Sequence, residues 1–279
     1  MKKYGIIGTR FCGSTPLMFV LAGSKKVFAL GGSRLINNQT KCTVCEAFEE
    51  YNCPIWTKRF VNGLNEENKH RLIEKRIKDK TEAESIIYID KTPLVYLTYM
   101  QENDIEFDGF IVLFKSPEAH ISSMLNHFPE KFSVKNNLEI YVNTYSKLSL
   151  FKDPLFYISY NDFTSGTDES IKGICKFIGI RFKQSMLNFD LASDNIHSIS
   201  GNTAAYMHVW PGSHVKEQLE GEYWKENWTP YHTKKILKNQ GAIYQDKRWT
   251  SLAKNIKDTI KKHEKSQEIY NDMMNKRSY

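Results

Sequence analysis

At 279 residues, with 41% hydrophobic and 13% aromatic content, the chain carries enough apolar material for one large folded domain, and its composition excludes disorder. The formal charge of +7 suits either a solvated basic surface or a cleft that attracts an anionic ligand. The Lys-rich stretch 254–265 lacks the Arg-aromatic interleaving of a nucleic-acid surface and reads as the polar face of a helix.

The start Met1-Lys2-Lys3 is basic, but the apolar run behind it breaks at Gly5 and Gly8, so no export signal is read. The run Pro16 to Ala22 is too short to span a bilayer. The expectation is a cytoplasmic protein with no membrane or nucleic-acid partner. Its five cysteines are then free thiols in a reducing compartment.

In chain order, Lys3 to Ile7 is a short strand ending in a glycine turn, and Leu17 to Ala22 continues at helical spacing. Lys26 to Leu30 reads as a second strand stopped by Gly31-Gly32. Residues 66–80 form a charged helix with Leu72, Ile73 and Ile77 on one side. Ile86 to Ile89, Gly109 to Phe114 and Leu155 to Ser159 are further apolar strands. Ser116-Pro117 starts a helix and Ser170 to Ile178 forms another.

Continuous apolar strands separated by helices belong to parallel sheets buried on both faces. The expected fold is therefore α/β, a three-layer sandwich with a central parallel sheet and a site beyond the carboxyl ends of its strands. A single domain over 1–279 is expected. It includes a Gly/Asn/Trp-rich, loop-forming segment at about 183–230 and a helical tail at about 231–279, with helix over roughly 231–240 and 250–275.

Gly8 and Gly13 bracket four residues between a strand and a helix, as in a phosphate-binding loop (P-loop). Glycine permits the tight turn, and backbone N–H groups with the helix N-terminus hold a phosphate. The kinase and ATPase form of this loop needs Lys after the second glycine, where this chain has Ser14. That removes the point charge triphosphate chemistry requires. A plain strand-turn-helix junction is the other reading of the loop taken alone.

The segment Ile6-Ile7-Gly8-Thr9-Arg10-Phe11-Cys12-Gly13-Ser14-Thr15 resembles the donor loop of sulfotransferases that use 3′-phosphoadenosine 5′-phosphosulfate (PAPS). Four more segments fall in that family's order. Asp90-Lys91-Thr92-Pro93 is similar to its Glu/Asp-Lys-Thr/Ser-Pro strand end. Lys115-Ser116-Pro117 with Ser123 resembles its 3′-phosphate motif. Ser159-Tyr160-Asn161-Asp162-Phe163 is similar to its Tyr-Glu-Asp-Leu, and Ile199-Ser200-Gly201-Asn202 to a Gly-Asn loop. The resemblance covers about residues 3–205 and points to the family's bacterial small-molecule branch.

The resemblance implies a P-loop sulfotransferase with PAPS as donor, the bisphosphate PAP as product and no obligatory metal. It implies donor-binding roles for Arg10, Phe11, Cys12, Gly13, Ser14, Thr15, Lys115, Ser123, Tyr160, Gly201 and Asn202. The physical reading of one pair agrees, because a cation, a hydroxyl and a helix start together suit a dianionic phosphate.

The chain departs from the family pattern in four places. The family's catalytic Lys/Arg falls on Phe11, so Lys91 or Arg10 must supply the charge, with Lys91 favoured. Its 3′-phosphate arginine is Lys115, its glutamate after the second strand is Gly32, and the arginine after Gly-Asn is Ala205. Sulfonyl transfer needs a base for the acceptor's proton, and the candidates are His127, His197 and Glu46.

Cys42-x-x-Cys45 with Cys53 resembles an incomplete zinc set whose fourth ligand would have to be Cys12 or His70. Free thiols or an acceptor-pocket loop are preferred, and no metal site is assigned. Trp210, Trp224 and Trp228 are read as walls of an acceptor pocket, and Trp249 as core. The acceptor is expected to be a small metabolite, sulfonated at O or N. A homo-oligomer is left open. The rival readings are a phosphotransferase using Asp90 as metal-binding carboxylate, and a nucleotide-binding relative that transfers nothing.

Overall fold

The computed structural model describes residues 1–32, 42, 53–65, 67–102, 104–127, 133–165, 167–187, 196–197 and 254–278. The amino-terminal half of the chain builds β1 (Lys2–Ile7), α1 (Ser14–Ala22), β2 (Val27–Gly31), α2 (Lys58–Asn62), α3 (Lys69–Lys80), β3 (Ser85–Lys91), α4 (Pro93–Glu102) and β4 (Gly109–Phe114). Then come α5 (Pro117–His127), α6 (Val134–Tyr145), β5 (Leu155–Ser159), α7 (Tyr160–Ser165), α8 (Thr167–Ile178), α9 (Lys254–Lys262) and α10 (Glu264–Asn275). Short 3-10 turns cover Ser146–Leu150 and Gln184–Leu187.

The strands form one five-stranded sheet in the order β2-β3-β1-β4-β5, every pairing parallel. This is the α/β architecture expected from the continuous apolar strands: β4 is buried along its whole length, and β3 at all but its last residue. The connection from β1 to β2 runs one way along the sheet and that from β3 to β4 the other. Right-handed crossovers therefore put α1 and α4 on opposite faces. Helix α1 has eight of its nine residues buried, so it reads as apolar on every side rather than as an amphipathic surface helix.

Both edges of the sheet are covered. Ala29 of β2 bridges to Ile196 and Tyr157 of β5 to Arg277, each in parallel. At the β5 edge the Ser278 N–H donates to the Tyr157 carbonyl at 3.1 Å, and the Tyr157 N–H donates to the Ser278 hydroxyl at 3.2 Å. Such short additions satisfy backbone groups that would otherwise recruit another strand.

One expectation needs correction. The tail is not one helix over 250–275: α9 stops at Lys262 and α10 starts at Glu264, because His263 sits at φ −83° and ψ 76°. The structure adds helices α4 and α6, which bury Tyr96, Tyr99, Tyr141 and Tyr145. The stretch 231–240 lies outside the described residues, as does most of 183–230. No helix among the described residues is long and apolar enough to cross a membrane.

Candidate functional site

The loop after β1 is held by close packing that only glycine allows. A Cβ on Gly8 would lie 2.6 Å from the Leu113 carbonyl oxygen and 2.7 Å from the Cys12 Sγ. The Gly8 N–H donates to the Lys91 carbonyl at 3.0 Å, tying the loop to the end of β3. The Thr9 N–H donates to the Tyr145 hydroxyl at 3.2 Å, which donates in turn to the Leu113 carbonyl at 3.0 Å. Burial, and then proximity to Cys12, push the Tyr145 hydroxyl far above the usual phenol range, so it stays protonated and available as a donor.

The loop then turns through two left-handed residues, Phe11 at φ 58° and Gly13 at φ 98°. Gly13 leads directly into α1, which carries no side-chain cap and no acidic residue in its first turn. The N-terminal end of a largely buried helix is thereby aimed at the loop with its partial positive charge uncompensated by a carboxylate of its own. Cys12, Ser14 and Thr15 are buried beside it, Phe11 is half-buried and Arg10 is exposed.

The second half of the site comes from β4 and β5. Lys115 follows β4 and is 3% exposed; its Nζ donates to the Ser123 hydroxyl at 3.2 Å. Ser123 is positioned on α5 by donating to the Ala119 carbonyl at 2.9 Å. The Lys115 backbone is held from the other side by the Tyr141 hydroxyl, which donates to its carbonyl at 2.9 Å. Buried His120, on the same helix, is pushed down to about 4 by burial and then by the Lys115 charge.

Tyr160, the first residue of α7, joins the two halves. The Lys115 Nζ lies 4.1 Å from the centre of its ring. A Cβ on Gly13 would lie 2.4 Å from Cε2 of the same ring, so the absent side chain is what lets Tyr160 pack on the loop. Gly13, Tyr160, Lys115 and Ser123 thus form one contiguous set at the carboxyl ends of β1, β4 and β5. In an open α/β sheet this is the end where ligands bind.

The end of β3 supplies the remaining wall. The pairing of β1 with β3 slips between Gly5 and Ile7, where Tyr88 and Lys91 are the respective partners. The buried Tyr96 hydroxyl fills this irregularity. It accepts from the Asp90 N–H at 3.0 Å and faces the carbonyls of Tyr88 at 2.8 Å and Ile6 at 3.0 Å. Lys91 follows at φ 62°, a left-handed conformation uncommon for a non-glycine residue and typical of functional turns.

Lys91 and Arg10 therefore lie on the rim of the same loop, Lys91 half-buried and Arg10 exposed. His197 is elsewhere. It stacks on Phe28 of edge strand β2, ring centres 6.0 Å apart, with Cys42 Sγ 3.8 Å and Cys53 Sγ 3.4 Å from its Nδ1. His127 is the last residue of α5, and its side chain lies outside the described set. Gly201, Asn202, Glu46, Cys45, Ala205, Trp210, Trp224, Trp228 and Trp249 also lie outside the described residues.

Among the described residues, neither Cys12 nor His70, the fourth ligands a zinc set would have needed, is grouped with Cys42 and Cys53. Cys12 packs under Gly8, and His70 lies against Tyr99 with ring centres 4.9 Å apart. The hydroxyls of Tyr96 and Tyr145 were not foreseen as parts of the site. Their partners are backbone atoms, some nearby in β3 and others in distant elements, and backbone partners leave no sequence pattern.

A sulfotransferase domain from the curacin biosynthetic pathway shares this fold, with a TM-score of 0.51 over 86% of this chain and 97% of that domain at 13% identity. The sulfotransferase domain of the Synechococcus PCC 7002 olefin synthase aligns with 86% of this chain and 94% of its own length, with a TM-score of 0.46 and 15% identity. The sequence matches no protein-family model and no curated protein. The curacin likeness is one of fold.

Proposed function

We propose that this chain is a PAPS-dependent sulfotransferase. It moves a sulfonate group to a hydroxyl or an amino or amide nitrogen of a small metabolite. The observation that carries the reading is the Gly13–Tyr160–Lys115–Ser123 set. A buried ammonium, a hydroxyl and an aromatic face are packed against a glycine loop that opens an uncapped helix. Those groups fit a nucleotide with two separate phosphate positions, one at the loop and one at Lys115. The absence of a loop lysine at Ser14 favours such a donor over a nucleoside triphosphate. A small-metabolite acceptor is in keeping with the pathway setting of the curacin domain.

In this reading the loop from Arg10 to Thr15 and the N-terminus of α1 hold the 5′-phosphosulfate. Lys115 and Ser123 hold the 3′-phosphate, with Tyr160 against the adenosine, and Gly201-Asn202 complete the donor site. When bound, the donor supplies an activated sulfonate whose leaving group is the bisphosphate PAP. Lys91, anchored through its carbonyl to the Gly8 N–H, neutralises charge on the departing phosphate oxygen; Arg10 is the second cation in reach of that role. His127 takes the acceptor's proton as the new bond to sulfur forms. His197, held between two thiols, is the weaker candidate for that role.

Calorimetry with PAP and with ATP tests the donor site. Binding of PAP in preference to ATP is expected, and absence of affinity for PAP overturns the reading. Separate His127→Ala and His197→Ala variants test the base, and normal turnover in both removes the assignment.

One observation favours a second reading. Phe11, at the position of the family's loop cation, cannot donate to an oxygen. A relative that binds PAP without transferring sulfonate would show tight PAP binding and no sulfonate release with any acceptor.

A further inference from the structure

At the β2 edge of the sheet, two thiols and an imidazole from three separate stretches of chain converge. Cys42, Cys53 and His197 are all buried, and their Sγ, Sγ and Nδ1 atoms lie within 4.8 Å of one another. Both sulfurs approach the same nitrogen, at 3.8 Å and 3.4 Å. Three metal-ligating atoms from separate stretches of chain meet at one buried point, the arrangement a metal ion requires. A metal ion between the three atoms accounts for both approaches. Tetrahedral zinc with thiolate and imidazole ligands separates S from N by about 3.6 Å, midway between the two observed distances.

The surroundings are those of a metal centre. The Trp56 N–H donates to the Cys53 sulfur at 3.2 Å, a bond that stabilises thiolate over thiol. The Trp56 indole N–H donates to the backbone carbonyl of His197, and Phe28 stacks on the imidazole at an interplanar angle of 19°, so backbone and ring are each held. Soft thiolates with one imidazole select zinc over the oxygen-loving cations.

We infer that Cys42, Cys53 and His197 bind one zinc ion, which clips the segments carrying the two cysteines to the strand-like addition at Ile196 beside β2. The inference does not rest on the donor site, and it removes His197 from the candidates for the acceptor's base. It requires no chemistry at the metal: each thiol releases its proton to solvent as its sulfur binds, and the ion closes chain loops that would otherwise cost entropy to hold. Three donors are in place among the described residues. Cys45, three positions beyond Cys42, lies outside them, and no position is assigned to it.

The test is metal analysis of the full chain, purified without a polyhistidine tag from zinc-supplemented cultures and passed through a chelator-free sizing column. The expected result is about one zinc per chain, falling below about a tenth in Cys53→Ser and in His197→Ala and unchanged in Cys175→Ala. Zinc below that level in the wild-type protein, a disulfide between Cys42 and Cys53 in a non-reducing peptide map, or full zinc in His197→Ala each overturns the site. Should a variant fail to fold, cobalt exchange into the wild-type chain decides: thiolate-to-cobalt charge-transfer absorption supports the site, and its absence in folded, cobalt-treated protein refutes it. None of these readouts depends on sulfonate transfer, so failure here and failure of the donor site are separately visible.

Discussion

The ammonium of Lys115 stands 4.1 Å above the ring of Tyr160, the same ring that fills the space a Gly13 side chain would occupy. A buried cation held against an aromatic face is costly to desolvate, and that cost is offset when a phosphate arrives. Lys115→Met should therefore separate binding from stability. PAP affinity is expected to fall by about 2 kcal/mol, or about 30-fold, from loss of charge-assisted hydrogen bonds. The ligand-free protein, relieved of a buried charge, should melt no lower than wild type. Calorimetry and thermal melts check the pair, and a variant that melts much lower while binding PAP normally would falsify the assignment.

Gly13→Ala tests the loop from the other side. Alanine at φ 98° costs about 1–2 kcal/mol, and its Cβ also displaces the Tyr160 ring. PAP binding should be lost in the single variant. In a Tyr160→Leu background the collision is relieved and only the backbone strain remains, so adding Gly13→Ala should destabilise less there than in wild type. Equal destabilisation in both backgrounds would show that the ring and the glycine are not coupled.

Tyr96→Phe keeps the ring among Phe107 and Phe110 but removes the hydroxyl from the β1–β3 irregularity. The Asp90 N–H is then left buried without that acceptor, a cost of about 1–3 kcal/mol by urea unfolding. Because Lys91 follows at once and its carbonyl receives the Gly8 N–H, PAP affinity should also drop. A variant as stable as wild type would mean that this hydroxyl does not anchor the loop.

Lys91→Ala retains a left-handed residue at φ 62°, so its effect on folding should be small and its effect on kcat readable. A fall of about 100-fold or more in kcat with PAP affinity retained is expected, against a smaller fall for exposed Arg10→Ala. The reverse ranking would move the catalytic cation to Arg10.

His120 gives a pH signature. Burial, then Lys115, hold its folded value at about 4, against about 6.5 for an unfolded histidine. Between these values the unfolded chain binds the extra proton, so stability is full above the upper value and declines as pH falls toward the lower one. The loss approaches about 3 kcal/mol at the bottom of the window. Denaturation curves at pH 7, 6 and 5 should show a steeper loss in wild type than in His120→Phe; parallel curves would remove the histidine from the account.

Much of the sheet was legible because its signal is local. Gly109–Phe114 and Leu155–Ser159 are apolar runs flanked by polar residues, and the structure reproduces both spans. The segments after β1, β3, β4 and β5 were placed at strand ends from sequence, and parallel strands deliver those ends to one side, while Ile199 to Asn202 lies outside the described residues. Helix α4 was not legible, because residues such as Tyr96 and Thr98 give it no clean apolar stripe. The Tyr145 hydroxyl, the Tyr96 contact with Ile6 and the Cys42–Cys53–His197 convergence have no local signal for a common reason: each joins partners far along the chain. Sequence alone left Cys12 or His70 as the fourth partner a zinc set would need, neither at finger spacing, and the structure instead brings His197 against Cys42 and Cys53.

The position of β1 in the middle of the sheet has a consequence for how the chain folds as it is made. Lys2 finds its partner in Ser85 and Tyr4 in Gly109, so one flank of β1 waits for β3 and the other for β4. Helix α1, apolar on nearly every side, emerges early and waits with it. Such long-range pairing is slow, and the interval leaves a sticky nascent segment for chaperones to shield. The glycine loop between β1 and α1 therefore takes its final shape late, once β3 has supplied Lys91 and β4 has supplied Leu113 to hold it.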